Sequence, residues 1–236
     1  MKGKNLNQIG VSFKGSGSYV PNQILTNQEI SKKVDTSDEW IKSRTGISQR
    51  RISGLSENVS EMGYRAALEA IEMAKWDLET IDLIILATST PNDLFGSAPE
   101  IQSKLGTINA VSFDLTAACS GFLFAVITAT QFLKAGSYKR AIVIGSDQLS
   151  SYVNWNDRRS CILFGDGAGA IAIEATNEFD NLIGFSMRTD GKRGSFLNLP
   201  SQNNQDLIND EINFSSGGFS TIQMNGQEVY KFAVRE

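Results

Sequence analysis

In the stretch FDLTAACSGFLFAVITATQFLKAG (113–136), a strand-like run closes near Leu115. Cys119 follows almost at once, at the head of a long uncharged helical pattern. That placement bears on thiol chemistry. The first free N–H groups of a helix, together with its dipole, favour a thiolate. The same donors can hold the oxyanion that forms when an acyl group is transferred. The alternative is a small, inert cysteine inside a buried helix, and spacing alone leaves both open.

Other residues could bind rather than react. Trp40 lies on a short helical pattern with Arg44, and an aromatic face beside a guanidinium can hold an adenine and a phosphate. Arg44, Arg50–Arg51 and Arg158–Arg159 are compact basic spots that by themselves read as solvated surface. The cluster FGDGAGAIAIEA (164–175) has glycines at 165, 167 and 169, one short of the dinucleotide spacing. A strand pattern follows it rather than a helix, so the glycines read as sites of close backbone approach. Cys161 sits in the apolar run CILFGDG and is expected to be inert.

Composition removes several classes of chemistry. The 236 residues include no histidine, which excludes a His-based metal site and any Cys–His or Ser–His couple within this chain. Two cysteines are too few for a metal cage or a disulfide scaffold, so no metal is expected. The formal charge of −4 offers no nucleic-acid footprint. No apolar stretch follows the lysines of MKGKNLNQIG, so a secretory signal is not expected, and a reducing, cytoplasmic setting fits. From Leu115 to Leu133 there is no charge, but Thr116, Ser120, Gly121, Thr128, Thr130 and Gln131 make the run too polar for a membrane span. It reads as a buried helix, apolar on every side.

The elements that must position these residues alternate. IGVSFKGSGSYVP (9–21) reads as a strand that breaks at its glycines. TNQEISKKV (26–34) opens with a capping box of Thr26 and Glu29. TSDEWIKSRTG (36–46) is a second short helix ending before Gly46, and 59–76 carries apolar residues at helical spacing. Strands are expected at 82–90, 110–115, 140–147 and 167–175, and a helix at 98–106. The run DLIILATST should be covered on both faces. The pattern is an α/β sheet with helices on both faces. After Ala175 a strand restarts in NEFDNLIGFSMRTDG, a polar, loop-like tract follows, and MNGQEVYKFAVRE begins a helix.

VDTSDEWIKSRTGISQRRI (34–52), DLTAACSGFLFAV (114–126), SDQLSSYVNWNDRRSCILFGDGAGA (146–170) and MNGQEVYKFAV (224–234) together resemble β-ketoacyl-acyl carrier protein synthase III. This is the initiating condensing enzyme of bacterial-type fatty acid synthesis. The resemblance runs from about Ile9 to Glu236. It implies an α/β, thiolase-like fold, layered αβαβα with mixed sheets, and a homodimer. It also implies a ping-pong acyltransferase: the cysteine takes an acyl group, typically acetyl, from coenzyme A, and malonyl-acyl carrier protein is decarboxylated and condensed with it. Coenzyme A is thus a substrate, and no resident cofactor is implied. Cys119 falls on the nucleophile. Trp40 and Arg158 fall on the pair that sandwiches the adenine, with Thr36 and Arg44 beside the same nucleotide. Gly226 and Tyr230 fall near the pantetheine tunnel. Phe95 falls on the loop residue that closes the partner's acyl pocket, where a large aromatic favours a short primer.

The family completes its site with a His, an Asn and a glycine-rich turn from its second half, which this sequence does not reach. The expectation is therefore a complete first half (1–175) and a truncated second half (176–236), a fragment that is catalytically incomplete. The other expectation from a different class is a silent thiolase-fold subunit that only binds coenzyme A or a partner.

Overall fold

The computed structural model describes residues 9–207 and 213–235. The expectations for the N-terminal stretch 1–8, for 208–212 within the polar tract and for Glu236 lie outside them. In chain order the elements are β1 (Gly10–Tyr19), β2 (Gln23–Thr26), α1 (Asn27–Ser31), α2 (Asp38–Thr45), β3 (Gln49–Ile52), α3 (Val59–Ala74), β4 (Leu83–Ala87) and α4 (Ala98–Leu105). Then follow β5 (Val111–Leu115), α5 (Gly121–Lys134), β6 (Arg140–Gln148), β7 (Asp166–Thr176), β8 (Leu197–Asn198), β9 (Ser201–Leu207), β10 (Asn213–Phe219), β11 (Gln223–Met224) and α6 (Gly226–Arg235).

Packing divides the chain into two compact units. The first holds the described residues up to 23, with 51–148 and 166–187. The second holds 24–50, 149–165 and the described residues from 188 onward. This division concerns compactness and cuts across the boundary between sequence halves at 175/176.

The first unit is built on a five-stranded sheet of order β1-β7-β6-β4-β5. β4 pairs in parallel with both β5 and β6, whereas β7 is antiparallel to β6 and β1. Side-chain alternation along β4 sorts its residues to two faces. Ile84 and Leu86 join a core with α3 and α4. Leu83, Ile85 and Ala87 join another with α5. All five residues of β4 are buried, as the uninterrupted apolar run requires, and each of the four large ones contributes about 2 kcal/mol.

Three expectations are corrected here. β1 does not break at its glycines but runs through them, with a register shift between Phe13 and Gly15. A Cβ on Gly15 would stand 2.3 Å from the Ala70 carbonyl oxygen, and one on Gly17 2.1 Å from that of Ala66. The glycines let α3 lie directly on the strand, and the Ser18 N–H, on the strand's outer edge, donates to Glu69 at 2.7 Å. The uncharged helix is not apolar-buried all round. α5 starts at Gly121, and Ala125, Ala129 and Leu133 face the sheet while Leu123 is 64% exposed and Phe132 is also exposed. The strand expected in NEFDNLIGFSMRTDG does not form: residues 177–190 lack regular structure, and Ile183 and Phe185 stand exposed without a pairing partner among the described residues.

In the second unit the capping box of Thr26 and Glu29 forms on α1, and Gly46 ends α2 with φ 73°. Its core gathers Ile30, Ile41, Val153, Cys161, Ile162 and Ile222. The polar tract is not a loop, because β9 and β10 pair antiparallel from Ser201↔Phe219 to Leu207↔Asn213. Backbone hydrogen bonds hold this hairpin, and its Gln, Asn and Ser residues carry no apolar alternation that would announce a strand.

Gly17→Ala is expected to destabilise the protein by about 3 kcal/mol, because the new methyl would collide with helix backbone rather than with a side chain that can turn away. Urea unfolding measures this, and a loss under about 0.5 kcal/mol would show that α3 does not rest on β1 as described.

Candidate active site

The C-terminal ends of the three parallel strands lie in one row. Ala87 of β4 is in register with Leu115 of β5 and Gly145 of β6. In parallel sheets this is where loops collect and ligands bind. The chain leaving β5 turns sharply: Ala117 has φ −151° and ψ 38°, and Ala118 has φ 47°. A non-glycine residue in the left-handed region costs about 1 kcal/mol or more, so the turn is held by its surroundings. A single 3-10 turn, Ala118–Ser120, then leads into α5. Cys119 sits on this turn, exposed, two residues before the helix begins. It faces a pocket of about 240 Å3 lined also by Ala87, Phe122, Gly145, Asp147 and Gly167.

Asp147 was not singled out from the sequence. Its Oδ1 accepts from the Ser89 N–H at 2.8 Å, the Thr90 hydroxyl at 2.9 Å and the Thr88 hydroxyl at 3.2 Å. The carboxylate thereby pins the chain leaving β4 to the end of β6. Burial pushes its carboxyl above the usual aspartate range, and those hydrogen bonds offset this in part. The glycines of the 164–175 cluster have a second role that the sequence reading missed: Gly167 and Gly169 form a side-chain-free wall of the pocket. Their only sequence signal was the run of small residues itself.

The second unit gathers the aromatic and basic residues. Trp40 is 38% exposed, with the Arg158 guanidinium 5.4 Å and the Arg44 guanidinium 5.9 Å from its ring centroid. Arg158 also donates to the Asp35 carbonyl at 2.9 Å. The neighbouring Thr36 hydroxyl oxygen is buried without a hydrogen-bond partner among the described residues. Gly226 and Tyr230 lie on α6, where Tyr230 is 69% exposed and makes no ring contact or hydrogen bond to Trp40. In the first unit Phe95 is fully exposed on a loop whose N–H groups are tied down by Asp93 and Asp114. Arg50 departs from its expected place on the surface: it is 4% exposed and bonded on both sides. Cys161 is buried, and burial pushes its thiol up, in keeping with an inert residue. Among the described residues there is no cluster of metal-ligating side chains, and no helix is long and apolar enough to cross a membrane.

This mixed sheet, with an exposed cysteine on a strained turn above the parallel strand ends, is that of a thiolase-fold protein. The family model for 3-oxoacyl-[acyl-carrier-protein (ACP)] synthase III matches residues 113–191. β-Ketoacyl-[acyl-carrier-protein] synthase III of Prochlorococcus marinus subsp. pastoris is 91% identical over 236 residues, which are 100% of this chain and 70% of that protein. The crystal structure of the Aquifex aeolicus VF5 3-oxoacyl-[acyl-carrier-protein] synthase III is 36% identical, with a TM-score of 0.73 over 94% of this chain and 67% of that one. The priming β-ketosynthase of the R1128 polyketide pathway has a TM-score of 0.84 at 28% identity, over 100% of this chain and 69% of that one. The chain belongs to the β-ketoacyl-acyl carrier protein synthase III family.

Two outcomes test this geometry. Iodoacetamide should alkylate Cys119 in the folded protein and reach Cys161 only on unfolding. Peptide mapping that finds Cys161 modified first would contradict the assignment of accessible and buried thiols. Asp147, with its folded pKa raised, contributes stability that is full below the ordinary aspartate pKa of about 4 and is lost as pH rises through the folded value. Asp147→Asn removes that titration while keeping an acceptor for the Ser89 N–H. In urea unfolding from about pH 3 to pH 7, the native protein should lose stability relative to the variant as pH rises. A constant difference would show that Asp147 does not titrate abnormally.

Proposed function

We propose that Cys119 takes an acyl group, acetyl by preference, from coenzyme A and hands it to malonyl-acyl carrier protein, the opening condensation of fatty acid synthesis. The observation that carries this reading is the exposed thiol on a strained turn at a pocket, in a chain of this family. The Cys119 thiolate attacks the thioester carbonyl, an S–acyl bond forms, and the thiolate of coenzyme A leaves. In the family's full reaction, which draws on a His that this sequence does not contain, the malonyl thioester then loses carbon dioxide. The electron pair of the broken C–C bond becomes an enolate, whose carbon attacks the Cys119 thioester and expels the Cys119 thiolate.

Trp40, Arg158, Arg44 and Thr36 bind the nucleotide end of coenzyme A, which is a substrate here and not a resident cofactor. The cation–π contact of Arg158 with Trp40 supports this, since an adenine can take over each half of it. Thr36 adjoins Asp35, whose carbonyl accepts from Arg158. Gly226 and Tyr230 serve the pantetheine arm. The protein acts as a homodimer in which Phe95 closes the acyl pocket of the partner subunit; the fully exposed Leu94–Phe95 tip supports that role. Two unpaired thiols fit a reducing cytoplasm.

Incubation with acetyl-CoA should add one acetyl group, found on Cys119 by peptide mass spectrometry. Acetylation of Cys161 alone would overturn the proposal. Trp40→Ala and Arg158→Ala should each weaken coenzyme A binding by about 1–3 kcal/mol with little change in unfolding.

A further inference from the structure

Arg50 is a cation in the second unit's interior with two sets of partners. Its Nε and Nη2 donate to the Ile162 carbonyl, the first at 2.9 Å. Its Nη1 donates to Asn27 Oδ1. Asn27 passes the connection on, since its Nδ2 donates to Asp38 Oδ1 and to the Ile47 carbonyl, each at 2.8 Å. Asp38 is the first residue of α2, two positions before Trp40. Ile162 stands four positions after Arg158, in a segment tightened by bonds from the Cys161 and Ser160 N–H groups to the Asp157 carbonyl. One guanidinium is therefore linked to both arms of the Trp40–Arg158 contact: through Asn27 to the helix that carries the ring, and directly to the segment that follows the cation.

Packing alone does not call for arginine here. Removing a guanidinium from water is costly, and among the described residues no carboxylate bonds it directly; the nearest negative charge in the chain of bonds is Asp38, reached through Asn27. A well-packed apolar residue would fill the space at lower cost. What arginine adds is a planar fork whose donors hold two acceptors at a set separation, which a lysine ammonium cannot do.

We propose that Arg50 is a positioning residue for coenzyme A, holding Trp40 and Arg158 at the spacing that receives the adenine. This rests on the reading that those two residues bind the nucleotide. The residue acts through its partners and does not touch the ligand.

Titration calorimetry with coenzyme A on the full chain separates the possibilities, because Kd reports the geometry of the site and stoichiometry reports the folded fraction. Arg50→Gln should raise Kd at least about tenfold, the scale of losing an outer partner of a ligand-binding group, with one site per folded chain retained. Arg50→Lys keeps the charge and should fold with near-native urea stability, yet it should not restore the affinity. If either variant lowers stoichiometry or stability while Kd stays native, Arg50 is a structural residue only and the proposal fails. Trp40→Ala serves as the reference. If it raises Kd and Arg50→Lys does not, the positioning role alone is wrong. If Trp40→Ala leaves Kd unchanged, or the native chain does not bind, the nucleotide reading falls and the inference falls with it.

Discussion

Burial of β4 and β6 on both faces is the constraint from which the site follows. A strand with helices above and below can carry no group that needs water or a ligand along its length. Leu83 to Leu86 and Ala141 to Ile144 accordingly have no exposure. Polar and reactive groups are forced to the strand ends, and parallel pairing puts three such ends on one side. Ala87, Leu115 and Gly145 mark that row. Cys119, Asp147 and the hydroxyls of Thr88 and Thr90 all emerge within a few residues of it.

The same constraint explains why the turn at Cys119 tolerates strain. The residues before it are locked in a parallel ladder with β4, and the residues after it begin a helix anchored by Ala125, Ala129 and Leu133. With both sides held, the chain between them must reverse within a few residues, and Ala118 takes the left-handed conformation. The cost falls on one residue, and the surrounding core, many times larger in energy, sustains it. The thiol is left on an exposed corner next to residues with little or no side chain.

The second unit adds a buried polar network to its apolar core. Around Arg50 the elements α1, α2 and β3 and the segment near Ile162 meet through hydrogen bonds rather than apolar surface alone. Such a network fixes direction as well as proximity, since each bond has a preferred angle. In the same unit Trp40 and Arg158 come face to face although 118 positions of sequence separate them.

The sequence by itself determined the elements that depend on neighbours along the chain. The capping box at Thr26, the glycine stop at Gly46, the doubly buried run of β4 and the cysteine at a strand-to-helix turn are all local, set by backbone chemistry and periodicity over a few residues. The order of its motifs also carried the family resemblance. What only the tertiary structure decided are the features whose partners lie far off. β1 continues through Gly15 and Gly17 because α3 rests on it. The β9–β10 hairpin forms through ladder bonds that leave no apolar pattern. Asp147 and the glycines of β7 reach the cysteine pocket through sheet order. Arg50 turns inward because Asn27 and Ile162, 23 positions before it and 112 after it, offer acceptors there. A basic residue in a basic run reads as solvated until those acceptors are known, since only a bonded guanidinium can stay out of water.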